Sequence, residues 1–322
     1  MLSCRRGCRS VAEHSADPTR FPLTMDIRYV AYEDIDRQLY NSCVHYAHNG
    51  RAWGYKWYLE ATARRFDVLV EGGYESVMPL VHEANWLGRT SLTTPIFTPA
   101  LGVFSVHVLS QKRLGYFLRE ASARFDHVDY AFTGEPSRNT DDVDWAWTPQ
   151  RNLVVDIDGR PYDELAEQYG SDLLRSLQRS DDADLLVHGN QKPERVAAFM
   201  AEHYPDGQRL QHPLLRILYQ ALHRGWGWTT AVTDRAGELL ATNAFVFTHG
   251  RITSIAPCAS PRGREVGALE LLFDYALRQA AGRPIKLDFA STDEGRYTGF
   301  GASPERYWHA AKQGKLLGVL PI

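Results

Sequence analysis

The sequence predicts an α/β (α+β) chain in two halves, each a mixed sheet flanked by helices, and three observations predict it. Residues 238–289 read as strand, strand, basic turn, helix, strand. Residues 66–105 and 228–267 both run strand, turn, strand, turn, strand, proline-bearing loop, helix start. Between the two stretches, residues 134–150 are polar, with Pro136, Asp141, Asp142 and Pro149, and read as a connection. At 322 residues the chain is long enough for two units that each bury a core, expected at 25–149 and 150–322.

Residues 1–24 hold several arginines, Cys4 and Cys8, but neither periodicity nor the apolar centre of a signal peptide. A disordered extension is expected there, with Met25 as an alternative start. Cys4, Cys8 and His14 lack a fourth partner, so no metal site is expected. Cys43 and Cys258 stand alone, as in a reduced, cytoplasmic protein. No apolar run reaches the length of a membrane span, and a net charge of −3 argues against general binding to nucleic acid or anionic membranes.

A strand near 27–31 comes first, followed by helices at 33–47 and 57–65. Strands at 66–71, 76–82 and 90–94 follow, punctuated by Gly72-Gly73 and Gly88. A loop at 95–104, a helix at 106–124 and a strand at His127–Phe132 close the first half. The second half opens with a strand at 151–157, helices at 162–170 and 171–180, a strand at 183–188, and helices at 194–202 and 213–224. A strand at 226–233 leads to a hairpin of Leu239–Thr248 with 252–256, turning at His249-Gly250. Val266, Leu269, Phe273, Ala276, Leu277 and Ala280 share one helical face, and Gly282 and Pro284 stop that helix before a strand at 285–289.

Strand, helix and strand in that order make a parallel pair with a right-handed crossover. Pro257 has no N–H to offer, so pairing should fail there and the strands should splay. The helix then opens beside the gap with free N–H groups and the positive end of its dipole. Arg262 and Arg264 add charge, and Gly263 and Gly267 admit a ligand to the backbone. The pattern suits a pyrophosphate. The corresponding loop of the first half, 94–104, has no basic residue, so a phosphate-bearing carrier is expected in the second half alone. The first half then helps form an acceptor groove or is structural.

Arg264-x-x-Gly267-Ala268 on a strand–turn–helix resembles the acyl-CoA phosphate loop of the GNAT N-acyltransferases, with Leu269 where a small residue is usual. From Met25 onward the chain is similar to the Fem-type (FemAB-like) branch, which joins two GNAT-like halves in one polypeptide. The resemblance implies tandem GNAT-like halves with mostly antiparallel sheets and a splayed parallel pair in the second. It also implies a donor site of Arg262, Gly263, Arg264, Gly267 and Ala268, taking acetyl-CoA or another acyl-CoA as co-substrate without a metal. Fem-type enzymes present substrate-binding residues from an early aromatic segment, which makes Tyr55, Lys56 and Trp57 candidates. Arg175 and Arg179 lie four apart on one helix face in a phrase that is also Fem-like, although relatives tend to have alanine where Ser180 stands. The stretch from Asp288 to Phe300-Gly301-Ala302 resembles the same family, with Ala290 where many relatives carry an acid.

Acyl transfer to an amine needs a neutral amine, a carbonyl held close and a proton for the leaving group. Asp288 or Glu294 is the candidate base and Tyr297 the candidate acid, with Tyr307 as substitute. Gly-x-Ser-x-Gly and Walker-type loops are absent, and the histidines lack metal spacing. The first expectation is an N-acyltransferase moving an acyl group from acyl-CoA to a small-molecule or peptide-like amine acceptor by direct transfer. The alternatives are a Fem-type transferase that uses aminoacyl-tRNA on a cell-envelope precursor, and a non-catalytic binding protein on the same fold. The mild acidity of the chain does not favour tRNA, and neither DNA binding nor membrane insertion is expected.

Overall fold

A computed structural model of the chain describes residues 26–84, 90–134, 143–291 and 293–312. The sequence up to the break after residue 134 forms β1 (Ile27–Val30), α1 (Arg37–Tyr46), α2 (Lys56–Thr62), β2 (Asp67–Glu71), β3 (Ser76–Leu80), β4 (His82–Ala84), β5 (Thr90–Thr93), β6 (Phe104–Ser105), α3 (Gln111–Ser122) and β7 (His127–Phe132). Next come β8 (Ala146–Asp156), α4 (Tyr162–Ala166), α5 (Ser171–Asp182), β9 (Leu186–Gly189), α6 (Pro193–His203), α7 (Gly207–His223), β10 (Gly227–Thr233), β11 (Leu239–Thr248) and β12 (Arg251–Ser254). The remainder is β13 (Cys258–Ala259), α8 (Pro261–Glu265), α9 (Ala268–Ala280), β14 (Lys286–Asp288), α10 (Glu294–Tyr297) and β15 (Ser303–Lys312).

The fold is mixed α/β. β1, β2, β3 and β6 form an antiparallel sheet. A longer sheet runs β4-β5-β7-β15-β8-β14-β12-β11-β10-β9, with β13 paired to β11. In it β5 runs parallel to β7 and β12 parallel to β14, and the remaining neighbours are antiparallel. The parallel β12–β14 pair and its crossover through α9 are therefore present, in the register Arg251↔Lys286, Ile252↔Leu287, Thr253↔Asp288.

Local chemistry explains the element ends. Asp36 caps α1 by accepting from the backbone N–H groups of Gln38 and Leu39, and Ser110 caps α3 through the N–H of Arg113. His249 and Gly250 have φ of 51° and 67°, so the β11–β12 hairpin turns through two left-handed residues, which matches the twist of the strands. Gly282, at φ 78°, ends α9 and donates its N–H to the Arg160 carbonyl. Gly267, at φ 74°, separates α8 from α9, so the helix expected from Val266 starts afresh after it.

Three expectations change. Residues 146–150, read as connection, are strand: the break expected at 149/150 falls inside β8 and the long sheet runs through it. The C-terminal strand β15, which the sequence pattern did not announce, lies between β7 and β8 and pairs with both. α7 begins six residues ahead of the expected start and contains Pro213. The 1–24 extension, with Cys4, Cys8 and His14, lies outside the described residues.

Two cores hold the layers. The first takes α1, α2, α3 and the small sheet, and extends into α6, α7 and β11. Tyr55 and Trp57 of the first half meet Trp226 edge-on at 5.0 and 6.0 Å, and Arg216 Nε donates to the Ala61 carbonyl at 2.8 Å. The second core lies under α9, where Phe273 meets Phe245, Phe289, Tyr297 and Phe300 with ring centroids 5.0–6.1 Å apart. Phe273→Ala should cost about 3–5 kcal/mol, read as a lower urea midpoint.

Candidate functional site at the splayed strand pair

The closed end of the parallel pair is held by buried charge. Arg251 of β12 donates Nη1 to Asp288 Oδ2 at 2.7 Å and Nη2 to both oxygens of Glu305 on β15, at 2.8 and 2.9 Å. Lys286 of β14 reaches Glu305 at 3.2 Å and Asp156 of β8 at 3.3 Å. Asp288 also accepts from Asn152 Nδ2 and from the Ala290 N–H, both at 2.8 Å. Arg251 and Asp288 are 7% and 1% exposed, so the pair is out of water and bonded throughout. Burial raises the carboxyl pKa of Glu305, but the charge and hydrogen bonds of Arg251 and Lys286 outweigh it and leave the carboxyl below its usual value.

Past Thr253 and Asp288 the two strands part. A cavity of about 580 Å³ opens there, with Ser254, Ile255 and Pro257 on one lip and Phe289, Ala290 and Ser291 on the other. Leu269, at the start of α9, Tyr297, Asp293 and Arg296 add to the wall together with Met200, Tyr204 and Leu210, and Phe97 and Pro99 face them. The splay is thus present, but the lip amides are not free. Ile255 N–H donates to the Ala244 carbonyl at 2.9 Å and Ala256 N–H to Asn243 Oδ1 at 3.3 Å. Across the gap, the N–H groups of Phe289, Ala290 and Ser291 donate to the Leu153 carbonyl, Asp288 and Asn152 at 3.0, 2.8 and 3.1 Å. These last bonds hold Ala290 at φ 49°, a conformation that costs a non-glycine residue about 1–2 kcal/mol.

The basic turn is closed by its own chain. Arg262 pairs with Asp234 at 3.0 Å and Glu238 at 2.5 Å, and Arg264 Nη1 donates to the Ala259 carbonyl at 2.6 Å. Gly263 N–H is capped by Ser260 Oγ at 3.0 Å, and a Cβ on Gly263 would overlap the Leu240 carbonyl. A Cβ on Gly267 would overlap the Ser176 carbonyl of α5, and Ser180 Oγ lies 2.9 Å from the carbonyls of both Val266 and Gly267. Ala268 is fully buried at the start of α9. Both glycines admit the protein's own backbone, and α5 packs against Gly267.

The other sequence candidates scatter. Tyr297 is on the splay cavity, stacked on Phe289 at 4.3 Å, and burial pushes its phenol up to about 12. Glu294 begins α10, but its side chain is outside the described atoms. Tyr307 lines a different cavity, and burial raises its phenol. Lys56 is turned inward, 3.0 Å from Glu60 and 3.9 Å above the Tyr32 ring; Tyr55 meets His45 at 3.1 Å, and Trp57 packs on Trp226. Tyr55 and Trp57 thus pack against Trp226, Lys56 packs within the N-terminal segment, and none of the three lines the splay cavity. Arg175 pairs with Asp172 and Arg179 with Ser176 on the exposed side of α5. Asn152, Arg251 and Glu305 were missed. The available signal was Arg251, a charge directly after the hairpin turn in a strand otherwise apolar or small. Among the described residues, no three His, Cys, Asp or Glu side chains are grouped to hold a metal ion.

The fold is similar to those of solved Fem-type and tandem GNAT proteins. The crystal structure of FemX superposes with a TM-score of 0.60 at 12% identity, over 85% of this chain and 96% of that one. A tandem GNAT protein from the clavulanic acid biosynthesis pathway gives 0.54 at 13% identity, over 89% and 98%. L-PGS from Bacillus licheniformis gives 0.52 at 12% identity, over 88% and 93%. No family profile matches the sequence, and no curated protein matches it.

Arg251→Met would leave the buried Asp288 without its cation and Glu305 with Lys286 alone, and a loss of about 3–5 kcal/mol in urea unfolding is expected. The contribution of Glu305 to stability is complete above the ordinary glutamate pKa of about 4.3 and disappears as pH falls through the lowered folded value. Glu305→Gln should therefore flatten the acid limb of the urea midpoint against pH.

Proposed function

We propose that this chain transfers an acyl group directly to an amine, with the reacting carbonyl in the splay cavity. The observation that carries the reading is that cavity, formed where a parallel pair parts and walled by a tyrosine that stays protonated at neutral pH. The amine nitrogen attacks the carbonyl carbon, the bond from carbon to the carrier breaks, and the leaving sulfur or oxygen takes the Tyr297 proton. The proton shed by the amine restores the phenol, directly or by way of Glu294, the proposed acceptor at the start of α10. Asp288, fully bonded to Arg251, Asn152 and Ala290, positions the lip and is not the base. Phe97 and Pro99 supply the first-half wall past which a small-molecule or peptide-like acceptor enters. The units 25–149 and 150–322 are proposed as two halves that share β8 and the long sheet, and the unpaired, buried Cys43 and Cys258 suit a cytoplasmic enzyme.

The carrier divides two readings. Acyl-CoA held at Arg262, Gly263, Arg264, Gly267 and Ala268 requires α5 to lift from Gly267 and Arg262 to leave its carboxylates. The seating of Ser180 on that turn favours the second reading, an aminoacyl-tRNA ester whose phosphates rest elsewhere, with a cell-envelope precursor as acceptor. Purified chain should be assayed for transfer with acetyl-CoA plus an amine panel, and with aminoacyl-tRNA plus peptidoglycan or phospholipid precursors. Transfer from acetyl-CoA that Arg264→Glu abolishes establishes the first reading, and transfer from aminoacyl-tRNA alone the second. Transfer from neither leaves a binding protein on the same fold. In whichever assay succeeds, Tyr297→Phe should lower kcat by about 100-fold or more, and an unchanged kcat removes Tyr297 from the mechanism.

A further inference from the structure

A second cavity, of about 620 Å³, lies between the halves on the Asp288 side of the sheet. Its wall carries Trp53, Val108, Leu109 and Leu114 from the first half and the Arg251–Asp288–Glu305 cluster from the second. The two carboxylates in that cluster are matched by Arg251 and Lys286. Arg51 has no ion pair of its own among the described residues. It lines the cavity, and among those residues its one hydrogen bond is Nη1 to the Gly50 carbonyl at 2.8 Å.

A guanidinium has five N–H donors in a rigid fork, so Arg51 has most of its donors still to be answered. The residue is half-buried beside a second arginine. Burial first, and then the charge of Arg251, oppose its protonated form, with the Glu305 and Asp288 charges acting the other way. A bound anion would relieve both costs. The fork beside Trp53, Val108, Leu109 and Leu114 suits a carboxylate with an apolar body, and His48, His107, Gln111 and Arg306 line the remainder of the cavity.

We propose that this seam cavity is a second ligand site, distinct from the splay cavity, which takes the carboxylate of an apolar-bodied acid on Arg51. The two cavities share Pro99 in their walls, but the site uses neither Tyr297 nor the parted lips and so does not depend on the transfer reading. Arg306 stands at the same wall as a second cation for the ligand's approach.

The test is calorimetric titration of the full chain with octanoate, 3-phenylpropionate and N-acetylleucine, alongside octanamide and inorganic phosphate. Saturable binding of at least one acid with a Kd of about 1 mM or tighter is expected, with neither octanamide nor phosphate binding comparably. Arg51→Gln should weaken that acid by about tenfold or more. Leu109→Trp, which fills the cavity and leaves the charge in place, should block it, and circular dichroism confirms that both variants are folded. The proposal is overturned if no acid binds, if octanamide binds as tightly, if phosphate alone binds, or if Arg51→Gln leaves the affinity unchanged.

Discussion

The ion cluster of Arg251, Asp288 and Glu305 is the constraint on which the rest of this architecture depends. A parallel pair of three residues in register has little to hold it, and here it must also begin to diverge at its end. The cluster fastens the closed side of that divergence by linking β12, β14 and β15, and Asn152 adds β8. Because the charges are buried and bonded on nearly every side, they fix a geometry more than they lower the energy of folding. The strands can then part at Ser254 and Phe289 without the sheet unravelling behind them.

The same economy appears on the lips of the cavity. Strands that part should leave amides unanswered, and a buried amide without a partner is expensive. The chain answers these with Asn243, Asn152 and Asp288, side chains that stand in for the missing strand. A ligand in the cavity therefore meets apolar wall, the Tyr297 phenol and the charged Asp293 and Arg296 more than it meets free backbone amides of the lips.

Much of this was legible in sequence because it is local. The β11–β12 turn at His249-Gly250, the amphipathic stripe of α9 with its Gly282 stop, and the parting near Pro257 each follow from a few neighbouring residues. What was hidden depends on partners far along the chain. Arg262 and Arg264 look available in sequence, yet Asp234, Glu238 and the Ala259 carbonyl engage them. Gly263 and Gly267 look like openings for a ligand, but β11 and α5 occupy the space a side chain would need. β15 escaped notice because Pro304 sits near its start and its burial follows no alternating pattern. Arg51 belongs to a stretch dominated by aromatics, which drew attention to Tyr55, Lys56 and Trp57 instead.

The placement of β15 bears on biogenesis. β7 and β8 are not neighbours in the finished sheet; each pairs with β15, which is translated long after both. Until it arrives, the early segment leaves the ribosome with an unsatisfied strand margin, the kind of surface that recruits other nascent chains. His309 and Asp129, 2.6 Å apart across the junction, mark where that margin is finally sealed. Proteostasis of such a molecule would hinge on how long the gap stays open during synthesis.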